Sequence, residues 1–99
     1  MSLREAQARV REISHEAHKE KVYTSAFFTT LLTEQVGQIA EKYLEEGRHG
    51  KDIEVDVTDV ILVCFAYLNW LEKDASPSFE RSLEKHKRAI EEFRKRSKK

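Results

Sequence analysis

Val55-Asp56-Val57-Thr58-Asp59-Val60-Ile61-Leu62-Val63-Cys64-Phe65-Ala66-Tyr67-Leu68-Asn69-Trp70-Leu71 decides the fold of this chain. Its β-branched opening suits a strand. However, about eighteen residues pass without a turn signal, and that length favours a helix. Val57, Val60, Ile61, Cys64, Phe65, Leu68 and Leu71 fall on the expected inward face. Val55, Leu62, Val63, Ala66, Tyr67 and Trp70 make the segment apolar nearly all round. A helix of that kind is buried from both sides. One small domain does this poorly, so the segment predicts a dimer formed through this helix.

Helical patterns continue on both sides. Upstream, Phe28, Leu31, Leu32, Val36, Ile39, Ala40, Tyr43 and Leu44 give a broad inward face on a helix from about Ser25 to Glu46. Gly47 supplies its stop, Arg48 to Lys51 make a polar turn, and Asp52 or Glu54 opens the apolar helix. At the start of the chain, Ser2-Leu3-Arg4-Glu5 reads as a capping box. Leu3, Ala6, Val10, Ile13 and Ala17 then form one stripe on a first helix that ends near Lys21. Tyr23-Thr24-Ser25 interrupts the pattern and offers a new N-cap. Downstream, Ser76-Pro77 reads as an N-cap followed by proline at the first helical position. Phe79, Leu83, His86, Ile90 and Phe93 form a heptad-like seam on the closing helix. The expected fold is all-α: an antiparallel four-helix bundle, one domain over residues 1–99, dimerising through its apolar third helix.

Composition agrees. Ninety-nine residues make one domain with a modest core. Charged residues are 36% of the chain, as suits a helical protein with long solvated faces. Acidic and basic residues balance at 18 each, so total charge demands neither nucleic acid nor membrane. Residues 80–99 hold nine Lys/Arg and four Glu, leaving the first 79 residues net acidic. That basic end either attracts phosphates or complements the dipole of its own helix. Cys64 is the one cysteine and reads as an inert core residue. No apolar leader precedes the first helix and no run is long enough to span a bilayer. A reducing cytoplasm is the expected compartment.

The chemistry centres on two spacings. Asp56 and Asp59 lie three apart at the start of the third helix and point the same way. Two carboxylates that close repel unless a cation sits between them, and Mg²⁺ and Mn²⁺ prefer such oxygen ligands. The ordinary alternative is an acidic first turn favoured by the helix dipole. Gln35-Val36-Gly37-Gln38 sets two amides at the same spacing on the preceding helix.

Leu32-Thr33-Glu34-Gln35-Val36-Gly37-Gln38-Ile39-Ala40-Glu41 and Asp56-Val57-Thr58-Asp59-Val60-Ile61-Leu62 together resemble the MazG-like all-α nucleotide pyrophosphohydrolases. That family shows an E-x-x-E pair, often within E-V-G-E-L-A-E, then E-x-x-D-V-L on the next helix. The likeness extends to Asn69, ten positions after Asp59, and to the basic closing helix. It implies a MazG-like bundle that hydrolyses nucleoside triphosphates to the monophosphate and pyrophosphate, with carboxylate-held Mg²⁺ or Mn²⁺. Matched by position, the metal ligands fall on Gln35, Gln38, Asp56 and Asp59. The first pair departs from the family, since both acids are amides, which ligate but carry no charge. At least one metal is therefore expected to be lost or weakly bound. Glu34 and Glu41 flank the pair and are substitute ligands or solvated groups. For substrate binding the resemblance suggests Asn69, which either reads a nucleobase or hydrogen-bonds across the bundle. Lys85, with Lys87 and Arg88, reaches a triphosphate tail or forms a solvated face.

His15 and His18 are three apart but lack a third ligand. His86 reads as a polar group in its seam, and Tyr67 and Trp70 as dimer packing. No P-loop, nucleophilic triad, zinc pattern or dinucleotide fingerprint is present, and no catalytic residue is assigned. The expected function is a metal-dependent nucleoside triphosphate pyrophosphohydrolase with an eroded metal site. The alternative is a catalytically inactive MazG-like nucleotide-binding or protein-interaction module, which the paired glutamines favour. Expected partners are a nucleotide and further copies of the chain, as a homodimer or dimer of dimers, with neither membrane nor nucleic acid.

Overall fold

The computed structural model describes residues 1–97. Lys98 and Lys99, at the basic end singled out above, and the side chain of His18 lie outside the described residues. The fold is all-helical, with no strand among the described residues: α1 Leu3–Ile13, α2 His15–Lys19, α3 Ser25–Glu46, α4 Ile53–Trp70 and α5 Ala75–Ser97.

Local chemistry sets the boundaries. Ser2 caps α1 through a reciprocal capping box with Glu5. Where one helix to Lys21 is expected, the chain breaks at Ser14. The Ser14 hydroxyl donates to the Val10 carbonyl at 2.7 Å beside the Ser14 N–H at 3.0 Å, a back-bond that bends and slightly destabilises a helix. The short α2 follows, and Lys21 turns the chain with φ of 57°. Thr24 caps α3 by accepting from the Phe27 N–H. Gly47 ends α3 with φ of 80°, a conformation that costs a residue with a Cβ. At α5 the expected Ser76 cap gives way to Asp74, whose carboxylate accepts from the Ser76 N–H at 2.9 Å. Helix α5 thus begins at Ala75. Pro77 sits inside the first turn, where a missing N–H is tolerated.

Helix α4 is the centre. Asp56 meets Lys42 of α3, and Tyr67 stacks on Phe28 of α3 with centroids 4.7 Å apart and planes 7° apart. Early α4 therefore lies beside late α3, and late α4 beside early α3: the pair is antiparallel. Phe65, half a turn round α4 from Asp56 at 100° per residue, joins Val10 of α1 and Ala75 in a small cluster packed by Leu3, Ala6, Ala66 and Leu68. So α3 covers one face of α4 and α1 covers the opposite one. That double covering accounts for two apolar faces of α4, while Val57, Ile61, Leu62 and Cys64 stay exposed. Helix α5 packs on α1.

Gln7, 4% exposed, ties these layers together. Its side-chain amide donates to the Lys73 carbonyl at 2.7 Å and accepts from the Ala75 N–H at 2.9 Å. The core is nevertheless thin: among the described residues the buried apolar side chains are Val10, Phe28, Phe65 and Ala75. The radius of gyration is 16.5 Å, whereas a compact chain of this length has about 13 Å. The accessible surface is 8294 Å², against about 5,800 Å² for a compact monomer of this mass. Tyr43, Ile61, Leu62, Phe79, Leu83, Ile90 and Phe93 all face solvent in the single chain. No helix among the described residues is long and apolar enough to cross a membrane.

Candidate functional site

The α3–α4 pair has two unlike sides. On α3 the stripe facing α4 is Phe28, Gln35, Ile39 and Lys42. Glu34, Gln38, Glu41 and Glu45 lie to one side of it, and Val36, Ala40 and Tyr43 to the other. On α4, Asp59 and Ala66 lie to one side of Asp56 and Tyr67, and Val57, Ile61 and Cys64 to the other. Two right-handed helices running antiparallel bring like sides together. Gln38, Glu34 and Glu41 thus share a side with Asp59 and Ala66. Val36, Ala40 and Tyr43 share the opposite, apolar side with Val57, Ile61 and Cys64.

Of the four positions matched to metal ligands, Gln35, Asp56 and Asp59 are partly buried and Gln38 is exposed. The register puts Gln35 and Gln38 across from the turn of α4 that carries Asp59. Gln35 Oε1 is shut off from solvent without a hydrogen-bond partner, a cost that native structures rarely leave standing. Asp59 makes no hydrogen bond or ion pair among the described residues. Asp56 is taken by the Lys42 ammonium, which also donates to the Lys51 carbonyl at 2.8 Å. The hydrogen bond that Lys42 donates to Asp56 raises the Lys42 pKa above its ordinary value. Glu34 and Glu41 are exposed.

This donor set does not fit a cluster of divalent ions. Two of the four ligands are neutral, one carboxylate already has a cation, and no group of three His, Cys, Asp or Glu is gathered among the described residues. Sequence reasoning missed Lys42. The available signal was spacing, because Lys42 follows Gln35 by seven and Gln38 by four on one helix face.

A cavity of about 660 Å³ opens between α1 and the C-terminal half of α4. Arg4, Arg11, His15 and Lys73 line it together with the acids Glu72 and Asp74 and with Tyr23, Asn69 and Trp70. Arg4 is engaged by Asp74 at 3.0 Å. The Asp74 carboxyl is held below the usual carboxylate range, first by the Ser76 N–H and then by Arg4. Asn69 is also engaged: its amide donates to the Gln7 carbonyl at 3.0 Å and accepts from Arg11 at 3.0 Å. Asn69 therefore lines the cavity while bonding across to α1. Basic groups beside two aromatic rings suit a flat, anionic ligand. Ala66, at the cavity wall, lies seven residues from Asp59 on one stripe, about 10 Å along the helix.

Other expected positions are distributed differently. Lys85 is exposed on α5, which packs on α1 rather than beside Asp59. His86 is exposed in its seam. Tyr67 and Trp70, expected at a dimer contact, pack on Phe28 within the chain. Cys64, expected in the core, is exposed on the apolar side of α4, because α1 and α3 cover the other faces. Its neighbours still push the thiol pKa up through burial.

No protein-family model matches the chain, and no curated protein or solved structure matches it.

Proposed function

We propose that the chain is a MazG-like nucleotide-binding module, related to the metal-dependent nucleoside triphosphate pyrophosphohydrolases but with turnover lost or residual. The observation that carries this reading is the antiparallel α3–α4 pairing. The Lys42–Asp56 and Phe28–Tyr67 contacts give a register that supports positions 35 and 38 lying near position 59, as the family resemblance implies, with Lys42 beside Asp56 where the family carries acids. The nucleotide seats in the neighbouring cavity, its flat ring against Tyr23 and Trp70 and its phosphates toward Arg11, His15 and Lys73.

A second reading, residual pyrophosphohydrolase activity with Mg²⁺ or Mn²⁺ weakly held, is favoured by one feature. Asp59 is unpaired among the described residues, and Glu34 and Glu41 lie on its side of the helix pair.

The MazG-like four-helix arrangement is completed by a second copy. The apolar side formed by Val36, Tyr43, Val57, Ile61 and Cys64 is exposed in the single chain, and neighbouring exposed apolar groups of this kind mark interaction surfaces. The excess of accessible area is about 2,500 Å² by the scaling for compact monomers, and each chain of an obligate dimer removes roughly 1,000–2,500 Å² from water. Two α3–α4 pairs packed on this side make four helices around one core.

The test incubates the protein with each common nucleoside and deoxynucleoside triphosphate plus Mg²⁺ or Mn²⁺ and measures pyrophosphate, with Asp59→Asn as control. Saturable nucleotide binding without product supports the module. Metal-dependent product that disappears in the control supports the second reading. Absence of both binding and product removes the nucleotide reading and leaves a structural helical dimer.

A further inference from the structure

We infer that Lys42 is the resident cation of Asp56, and that it holds this carboxylate in place of a divalent ion. The charge balance is the first ground. Asp56 and Asp59 lie one turn apart on α4, and Lys42, the single basic side chain of α3, meets the first of these two charges.

Construction of the Lys42 seat is the second ground. Its ammonium is held at two points, by the Asp56 carboxylate and by the Lys51 carbonyl. Its aliphatic stem runs across buried Gly50, where an added Cβ would stand 2.8 Å from Cγ and 3.1 Å from Cδ. Glycine at position 50 leaves the room that the stem fills. The Lys42 and Asp56 side chains retain 24% and 28% of their exposure. The pair is therefore screened less than an open surface ion pair. A divalent ion reaching Asp56 must evict an ammonium that is seated along its whole length.

This inference concerns the same cluster as the proposed function, yet it requires no nucleotide, so its test contains none. The full chain is titrated with Mn²⁺, reading bound ion by electron paramagnetic resonance and melting temperature with and without chelator. The parent is expected to melt at the same temperature in Mn²⁺ and in chelator. Lys42→Met is expected to melt lower and to gain Mn²⁺ affinity by about tenfold or more, since a fixed positive charge is removed beside two carboxylates. Lys42→Arg keeps the parental behaviour. Gly50→Ala, which displaces the stem while retaining the charge, is the second variant should Lys42→Met not fold; it is expected to lower the melting temperature and to raise Mn²⁺ affinity. Parental stabilisation by Mn²⁺, or unchanged Mn²⁺ affinity in the folded variants, overturns the inference. Loss of nucleotide binding alone leaves these readings as they are.

Discussion

The Lys42 ammonium and the Asp56 carboxylate join α3 to α4 at the opposite end of the helix pair from the Phe28–Tyr67 stack. One contact is ionic and the other aromatic, and between them the register of the two helices is set. Asp59 and Gln35 lie inside that interval, so their placement follows from contacts that neither residue makes.

Phe28 is 1% exposed and touches Tyr23, Tyr67 and Trp70. Phe28→Ala is expected to cost about 3–5 kcal/mol, the range for truncating a buried aromatic. Chemical denaturation followed by Trp70 fluorescence reads this directly, and a cost under about 1 kcal/mol contradicts the packing described.

The carboxyl of Asp74 has its pKa lowered by the Ser76 N–H and by Arg4. A depressed folded-state pKa means a stabilising contribution that is complete above the unfolded value. It fades as pH falls through about 4 toward the folded value and is absent below both. Asp74→Ala is expected to destabilise at neutral pH and to flatten the acid limb of the stability curve. An acid limb equally steep in the variant contradicts the cap.

Packing of the apolar side against a second copy predicts a solution mass of twice the chain or a multiple of it by light scattering. Ile61→Glu places a charge in that contact and is expected to shift the mass toward the monomer. Cys64 reports the same event, since its thiol reacts slowly in the dimer and faster in the variant. A monodisperse monomer with a freely reactive Cys64 rules the contact out.

Within the cavity, Arg11→Ala and Trp70→Ala are each expected to weaken nucleotide affinity by about tenfold, the loss of one charged or stacking contact. Lys85→Ala, on the outlying helix, is expected to leave it unchanged. Fluorescence of Trp70 in the parent and Arg11→Ala proteins and calorimetry in the Trp70→Ala protein measure all three cases. An effect at Lys85 comparable to that at Arg11 places the ligand elsewhere.

Much of the helical layout was legible in the residues. The capping box at Ser2, the boundaries of α3 and the stop at Gly47 follow from local rules that tertiary contacts do not override. Ser14 and Asp74 were missed because each competes at short range with a plausible neighbour. A hydroxyl shares the Val10 carbonyl with its own N–H, and a carboxylate outdid the Ser76 hydroxyl as cap. The interior positions of α4 misled for a different reason. Periodicity cannot rank faces on a helix that is apolar nearly all round, so Cys64 read as core although it is exposed. At the candidate site, Asp56 and Asp59 were visible as a pair, whereas the Lys42 partnership requires two helices and the turn through Gly50 and Lys51 to be placed together. Gln7 gave no signal at all. A buried glutamine satisfied by a turn sixty-six residues away has no pattern in the linear chain.

Calorimetric titration with a non-hydrolysable nucleoside triphosphate, once in chelator and once in Mg²⁺, tests the central claim most directly. The account predicts saturable binding in both, with similar affinity, because the cavity supplies its own cations and Lys42 holds Asp56. Heat of binding that is absent in both titrations contradicts the nucleotide assignment, and binding that requires Mg²⁺ contradicts the place given to Lys42.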